Sequence, residues 1–218
     1  MKFDLIRKLL NKLLDFFFPS RCLNCFKISE LSICFECQKK VSFLKDFVEL
    51  NGENIYCITL YSGVIKKAIW QLKFNERLGV LDFLENILVK YFPENFSDFD
   101  FLLPVPLSDK RSRDRGFNQT ELLLKSVSKY FDKDIANNII IRKKETKPFF
   151  KLTKKERIQE VKGAFIIKNL STIRGKKVLL FDDIITTGTT VKEISSLLYK
   201  AGANKVYILG FSRAGYNK

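Results

Sequence analysis

Apolar residues along the chain follow two different spacings, and the two alternate. Short continuous apolar runs predict buried strands, whereas apolar residues three and four positions apart predict amphipathic helices. The predicted strands are 56–61, 99–105, 137–141, 176–182 and 205–211, and the predicted helices are 64–74, 77–91, 117–131 and 190–201. Because strands that alternate with helices form a parallel sheet covered on both faces, the pattern predicts an α/β fold.

The first residues, 1–19, predict an amphipathic helix that ends before Pro19. Leucine and isoleucine recur there with a helical period, and charged residues interrupt the run too often for a signal peptide. Such a helix packs on its own domain or lies on a membrane surface, and the sequence leaves both hypotheses open. No later segment has the ~20 apolar residues of a membrane span, so we expect a cytoplasmic protein.

Composition and charge restrict the chemistry that this chain can perform. The 218 residues include 39 Lys and Arg against 24 Asp and Glu, a formal net charge of +15. A field of that sign attracts phosphorylated metabolites, nucleic acid and acidic membranes. Because the chain has no histidine, it lacks the usual general base and the Ser-His and Cys-His nucleophile pairs. Any catalysis has to use carboxylates, lysine, arginine or a bound ion.

Four of the five cysteines form two C-x-x-C pairs with eight residues between them. The pairs are Cys22 with Cys25 and Cys34 with Cys37. Two such pairs supply the four thiolates of a structural zinc ion, and a reducing compartment disfavours two disulfides. We therefore predict a zinc knuckle over 20–48, followed by an α/β domain over 49–218. Metal loss is expected to unfold residues near 20–40 and to spare the phosphate site described next.

The stretch VLLFDDIITTGTT, residues 178–190, combines a buried strand, two acids and a threonine-rich turn that leads into a helix. Ligands of open α/β sheets bind at such strand ends, and the backbone N–H groups of the turn suit a phosphate. Asp182 and Asp183 would repel a phosphate, so they suit vicinal sugar hydroxyls or a hydrated Mg²⁺ ion. The predicted ligand is a ribose 5-phosphate. Its phosphate would contact Thr186, Thr187, Gly188, Thr189 and Thr190.

This stretch resembles the phosphoribosyl diphosphate (PRPP) signature of type I phosphoribosyltransferases. The segment LLPVPLSDKRSRDRGFNQTELL, residues 102–123, is similar to the ComF competence family in particular, and the double C-x-x-C motif fits that family. The resemblance implies the type I phosphoribosyltransferase fold, with Asp182 and Asp183 holding the ribose hydroxyls and Mg²⁺. It also implies that residues 110–119 close over PRPP. The implied diphosphate loop comprises Pro104, Val105, Pro106 and Leu107.

Three cations are further candidates for the PRPP site. Arg113 and Arg115 are the predicted catalytic residues, since guanidinium groups suit a diphosphate and stabilise its departure. A solvated run of charge is the alternative for this segment. Lys73 resembles a family lysine that binds substrate, although a cation at a helix end also serves the helix dipole.

The segment 142–162 is charged and poorly periodic, which predicts a surface loop or a partial helix. It forms a basic band with two phenylalanines inside it, and aromatic rings among cations can stack on unpaired bases. The candidate nucleic-acid residues are Lys143, Lys144, Phe149, Phe150 and Lys151. A solvated loop whose phenylalanines enter the core remains the alternative.

Three hypotheses of function follow. The resemblance implies a ComF-like protein of natural transformation, which binds Mg-PRPP or a related ribose phosphate, handles single-stranded DNA during uptake and contacts a helicase. The second hypothesis is an active phosphoribosyltransferase that transfers ribose 5-phosphate to a base or an amine. The third, a zinc-ribbon nucleic-acid module with a vestigial pocket, is disfavoured by the intact acids and threonine turn.

Overall fold

The computed structural model describes residues 19–75, 77–96, 98–143 and 154–215. The helix predicted over 1–19 lies outside the described residues except for Pro19. The same holds for Lys144, Phe149, Phe150 and Lys151 of the basic band, whereas Lys143 is described and exposed. Among the described residues, no helix combines the length and the apolar character needed to cross a bilayer.

Helices and strands alternate over most of the described chain. The strands are β1 (Phe43–Leu50), β2 (Glu53–Leu60), β3 (Phe101–Pro104), β4 (Ile140–Arg142), β5 (Phe165–Ile167), β6 (Lys177–Ile185) and β7 (Lys205–Arg213). The helices are α1 (Phe35–Gln38), α2 (Gly63–Phe74), α3 (Leu81–Lys90), α4 (Asp109–Arg115), α5 (Gln119–Phe131), α6 (Lys154–Val161) and α7 (Thr189–Lys200). Short 3-10 turns lie at Leu78–Val80 and Glu94–Phe96.

The main sheet has five strands in the order β1-β2-β7-β6-β3. The pairs β2–β7, β7–β6 and β6–β3 are parallel. At the edge of the sheet, β1 pairs with β2 in the antiparallel direction. The remaining strands, β4 and β5, pair with each other in a separate antiparallel ribbon. The predicted α/β class with a mostly parallel sheet is therefore confirmed, and the antiparallel edge is an addition to it.

Alternation along β6 divides the core between the two faces of the sheet. Leu179 and Phe181 belong to one hydrophobic cluster, which also contains the buried residues of α2, α3 and α5. Val178 and Leu180 belong to the other, which contains the buried residues of α7. Since side chains of a strand alternate between faces, a continuous apolar run can only be buried if both faces are covered. That is what the helices on each side provide.

The cysteine-containing segment packs directly on the first of these clusters. Cys22 and Cys37 are buried and join the same continuous cluster as α2 and α3. Lys67 Nζ on α2 donates a hydrogen bond of 3.0 Å to the Asn24 carbonyl. A Cβ added at Gly79 would lie 2.9 Å from Ser32 Oγ, so the two segments are in close contact there. The sheet begins with β1, so the predicted domain boundary between 48 and 49 falls inside that strand.

Candidate functional site

A cleft of about 540 Å³ opens at the carboxyl ends of β3 and β6, where an α/β sheet presents its ligand site. Its walls come from the end of α2, the segment after β3, the start of α5 and the turn between β6 and α7. The structure brings most of the predicted substrate residues together there. Those that line the cleft are Lys73, Val105, Pro106, Leu107, Arg115, Asp182, Asp183, Thr186, Gly188, Thr189 and Thr190.

Three predicted residues are not among those that line the cleft. Pro104 is the buried last residue of β3. The backbone carbonyl of Thr187 accepts a hydrogen bond of 2.7 Å from Asn51 Nδ2 in the β1–β2 turn. Arg113 is exposed on α4, whereas Arg115 reaches the cleft. Of the two predicted catalytic cations, only Arg115 is therefore positioned to meet a ligand in this conformation.

The two acids lie within the last part of β6, because the strand continues to Ile185 and Asp182 pairs with Gly210 of β7. Asp183 is buried, and its Oδ2 lies 2.6 Å from Lys73 Nζ in an ion pair without regular hydrogen-bond geometry. Asp182 Oδ1 accepts the backbone N–H of Asp183 at 2.9 Å. The last turn of α2 thus supplies the cation that partly balances the acids.

Burial is the main cause that raises the pKa of Asp182 to about 7. The neighbouring Asp183 acts in the same direction, and the Lys73 ammonium opposes both. The side chain borders the cleft and keeps some solvent contact, yet protein atoms surround it. Two carboxyl groups with one ammonium leave an excess of acceptor oxygens, a donor set that fits a sugar's hydroxyl groups or a magnesium ion.

The threonine-rich turn is held in place by the tip of the β1–β2 hairpin. Gly188 has φ +74°, and a Cβ there would lie 2.9 Å from the Cβ of Leu50. Asn51 fixes the turn through the Thr187 carbonyl, and its own carbonyl accepts a hydrogen bond from Lys192 of α7. The Thr189 hydroxyl, 2.8 Å from the Thr187 hydroxyl, stands in the first turn of α7. Hydroxyl groups at a helix N-terminus suit an anionic phosphate.

Replacing Gly188 with alanine is expected to destabilise the protein and weaken ligand binding. The left-handed backbone costs a side chain about 1–2 kcal/mol, and the contact with Leu50 adds about 1–3 kcal/mol of overpacking. Gly175→Ala is a matched control, since Gly175 has the same φ of +74° and nothing within 4 Å of an added Cβ. Chemical denaturation should show a greater loss for Gly188→Ala, and equal losses would contradict the close packing of the turn.

The segment after β3 is fixed to the sheet and to α5. The Val105 N–H donates to the Phe181 carbonyl at 2.9 Å, and the Val105 carbonyl accepts Asn118 Nδ2 at 3.3 Å. The side chain of Asn118 also caps α5 by accepting the Thr120 N–H at 3.0 Å. The segment 110–119, which the resemblance placed over PRPP, is helical up to Arg115, where α4 ends. A helix tethered at both ends therefore borders the cleft.

Four residues line the cleft that the sequence did not indicate, and they are Tyr61, Phe74, Thr120 and Arg142. Asp114 and Gln119, from the segment 110–119 that the resemblance implied, line it as well. Tyr61 directly follows β2, whose carboxyl end lies at the same edge of the sheet, and that shared edge is the signal that identifies it. Arg142 was assigned with the basic band, but it is buried, with its guanidinium carbon 5.4 Å from the Phe165 ring centroid. Arg115 donates to Gln119 Oε1 at 2.9 Å and lies over the Phe74 ring at 5.2 Å.

The four clustered cysteines form a second site. Their sulfur atoms all lie within 4.8 Å of one another, and all are free thiols. Two of the sulfur atoms accept hydrogen bonds. The Cys34 N–H donates to Cys22 Sγ at 3.3 Å, and Asn24 Nδ2 donates to Cys37 Sγ at 3.1 Å.

The pKa values within this cluster move in opposite directions. Burial acts to raise the pKa of Cys22, but backbone N–H donors, led by that of Cys34, outweigh it and lower the pKa to about 6. The Asn24 amide acts to lower the pKa of Cys37, yet burial and the neighbouring thiols raise it to about 12. Four thiolates cannot crowd together without a cation, so the set fits a thiophilic metal ion.

Comparison with known proteins identifies a domain and a set of relatives. Residues 122–211 match the family model described as "Phosphoribosyl transferase domain". The chain is 30% identical to competence protein F of Haemophilus influenzae over an aligned length of 228, which covers 91% of this chain and 99% of that protein.

Two further relatives share most of the chain. Competence protein ComFC of Streptococcus pneumoniae is 32% identical over 190 residues, which cover 85% of this chain and 77% of that protein. The DNA utilization protein YhgH of Escherichia coli is 28% identical over 161 residues, covering 72% of this chain and 70% of that protein.

Proposed function

Because the chain belongs to the family of competence protein F and ComFC and has a phosphoribosyl transferase domain, we propose that its cleft binds Mg-PRPP or a related ribose phosphate and that this binding takes part in DNA uptake. The observation that carries the proposal is that Asp182, Asp183 and the threonine-rich turn line one cleft. Two carboxyl groups that can bind hydroxyl groups lie beside a helix N-terminus that can bind phosphate. A sugar phosphate carries both kinds of group, so it matches the site.

Each group of the cleft then has a role. Asp182 and Asp183 orient the ribose through its hydroxyl groups, and the turn at 186–190 holds the 5′-phosphate. When the anionic ligand binds, Lys73 gives up part of its ion pair with Asp183 and contacts the ligand instead. Arg115 faces the diphosphate. Asp182 and Asp183 would hold a magnesium ion, which would supply positive charge against the diphosphate oxygens.

The second candidate function is transfer of the ribose 5-phosphate to a base or an amine. The position of Arg115 favours it, since a guanidinium stabilises a departing diphosphate without a histidine base. Steady-state assays of diphosphate release from Mg-PRPP separate the two candidates. We expect PRPP to bind. We also expect that an added base, amine or single-stranded DNA does not increase the release of diphosphate. Release that depends on one such acceptor would instead establish the transferase and identify its substrate.

Zinc is the proposed metal of the cysteine cluster. Four thiolates in two C-x-x-C pairs form the donor set of structural zinc sites, and no histidine is present to complete a mixed set. We further propose a cytoplasmic protein that handles incoming single-stranded DNA and contacts a helicase. Lys143 and the basic band with Phe149 and Phe150 are its proposed contacts to the strand.

A further inference from the structure

Two large aromatic rings are exposed on one face of α2, beside the cleft. Trp70 is 48% exposed and Phe74 is 61% exposed. They stand one helical turn apart, with ring centroids 5.7 Å apart and planes inclined by 40°. Phe74 also lines the cleft. Phe74 therefore presents apolar surface at the cleft, and Trp70 continues that surface one turn away. A single exposed ring would need no explanation, but an adjacent pair indicates a contact surface.

Cations flank these rings on the helix. Lys66 and Lys67 lie one turn before Trp70, and the exposed Arg77 follows the helix. The guanidinium of Arg115 lies 5.2 Å from the Phe74 centroid, on the cleft side of the ring. Lys67 is bonded to the Asn24 carbonyl, so it ties this face to the cysteine segment. Positive charge therefore flanks the two rings, which complements a polyanion and repels a cationic partner.

We propose that this face, the α2 track (Lys66, Trp70, Phe74 and Arg77), binds single-stranded nucleic acid by stacking unpaired bases on Trp70 and Phe74. Stacking needs a free base face, which a duplex hides. The cations that flank the rings would contact the phosphates of the same strand. Because Phe74 borders the cleft, the strand passes its entrance. The inference rests on the proposed handling of single-stranded DNA, but it requires neither PRPP binding nor the basic band at 143–151.

Trp70 is the only tryptophan of the chain, so its fluorescence reports directly on the track. The full-length protein would be titrated with an oligothymidylate of about twelve nucleotides. An abasic strand of the same length, the corresponding duplex, thymidine monophosphate and Mg-PRPP serve as comparison ligands. We expect the oligothymidylate to quench Trp70 strongly. The abasic strand keeps the charge without the bases and should quench little, as should the duplex and the mononucleotide.

Variants test the role of each ring through the anisotropy of a labelled strand. Phe74→Leu keeps an apolar side chain without a flat face, and binding should weaken roughly 5- to 100-fold. Trp70→Phe retains a ring and should bind nearly as well as the original protein, whereas Trp70→Leu should not. Tyr130→Leu is the matched control, because Tyr130 is 68% exposed on α5, outside the track, and its loss should leave strand binding unchanged.

Several outcomes would overturn the proposal. The first is quenching by the abasic strand as strong as by the oligothymidylate, and the second is unchanged binding of the strand by Phe74→Leu. The third is quenching by thymidine monophosphate as strong as by the oligothymidylate, which would assign the rings to free nucleotides. Calorimetry with Mg-PRPP keeps the two proposals apart. If PRPP binds and the strand leaves Trp70 unquenched, the track fails and the cleft assignment stands. If the strand quenches Trp70 and PRPP does not bind, the cleft assignment fails and the track stands.

Discussion

Removing the metal from the cysteine cluster is expected to unfold the segment around it. Structural zinc contributes about 10–16 kcal/mol in small zinc-binding units, which is as large as the whole stability of a typical domain, about 5–15 kcal/mol. Without the ion, Cys22 and Cys37 would keep thiols buried at 0% and 2% exposure with no cation to hold the cluster together. Elemental analysis of protein purified without chelator should return about one zinc ion per chain.

The structure extends this prediction beyond residues 20–40. The cysteine segment packs against α2 through Lys67 and Asn24 and shares one hydrophobic cluster with it. The same helix supplies Lys73, which pairs with Asp183. Chelation should therefore loosen α2 and the lysine side of the cleft, while α7 on the opposite face of the sheet stays folded. Hydrogen exchange should rise in both 20–42 and 63–74 after chelation, and stay low in 189–200.

Cys57→Ala is the matched control for loss of a thiol. Cys57 is buried in the sheet, outside the cluster, so this variant should lose some packing and keep its zinc. Cys22→Ser and Cys37→Ser should each lose the metal and reproduce the exchange pattern of the chelated protein. Metal-free protein with native exchange in the cysteine segment would contradict the prediction.

The sequence predicted the parallel core of the fold because its strands are buried on both faces. A fully apolar run such as Val178–Phe181, followed by a periodic helix, has few alternatives to a central strand with a covering helix. Strand β1 was not predicted, since it lies at the edge of the sheet with no fully buried side chain and no apolar run. It pairs with β2 across the Asn51–Gly52 turn, so the missed signal was a local one: an Asn-Gly pair between two strands is typical of a β-hairpin.

The candidate site was predictable where its residues are close in sequence. The acids and the threonine turn occupy neighbouring positions, so the strand-end pattern contained both. The pairing of Lys73 with Asp183 and the support of the turn by Asn51 join distant segments, and only the folded chain brings them together. Arg142 illustrates the same limit, because its neighbours in sequence indicated a solvated band while the β4–β5 ribbon buries it beside the cleft.

Replacing both acids of the cleft, by Asp182→Asn with Asp183→Asn, is expected to weaken PRPP binding by roughly 100-fold or more. Each charge-assisted hydrogen bond to a ribose hydroxyl contributes about 1.5–3 kcal/mol, and two are lost while the side-chain shapes are kept. Calorimetric titration of Mg-PRPP into both proteins measures the difference. Equal affinities would show that the acids do not hold ribose, and the PRPP assignment would have to be withdrawn.

Sulfate should respond to the same variant in the opposite direction. The substitution removes two carboxyl groups that repel an anion and releases Lys73 from its ion pair, so sulfate should bind at the turn as well as before or better. The control is Asp98→Asn with Asp100→Asn, which removes the same charge at the other end of β6, where both acids contact the Lys176–Lys177 segment. That variant should leave both affinities nearly unchanged, because the acids are far from the cleft and largely screened. A weaker PRPP affinity combined with an undiminished sulfate affinity, confined to the Asp182 and Asp183 variant, is the result expected if the acids hold the ribose or its magnesium ion and the turn holds the phosphate.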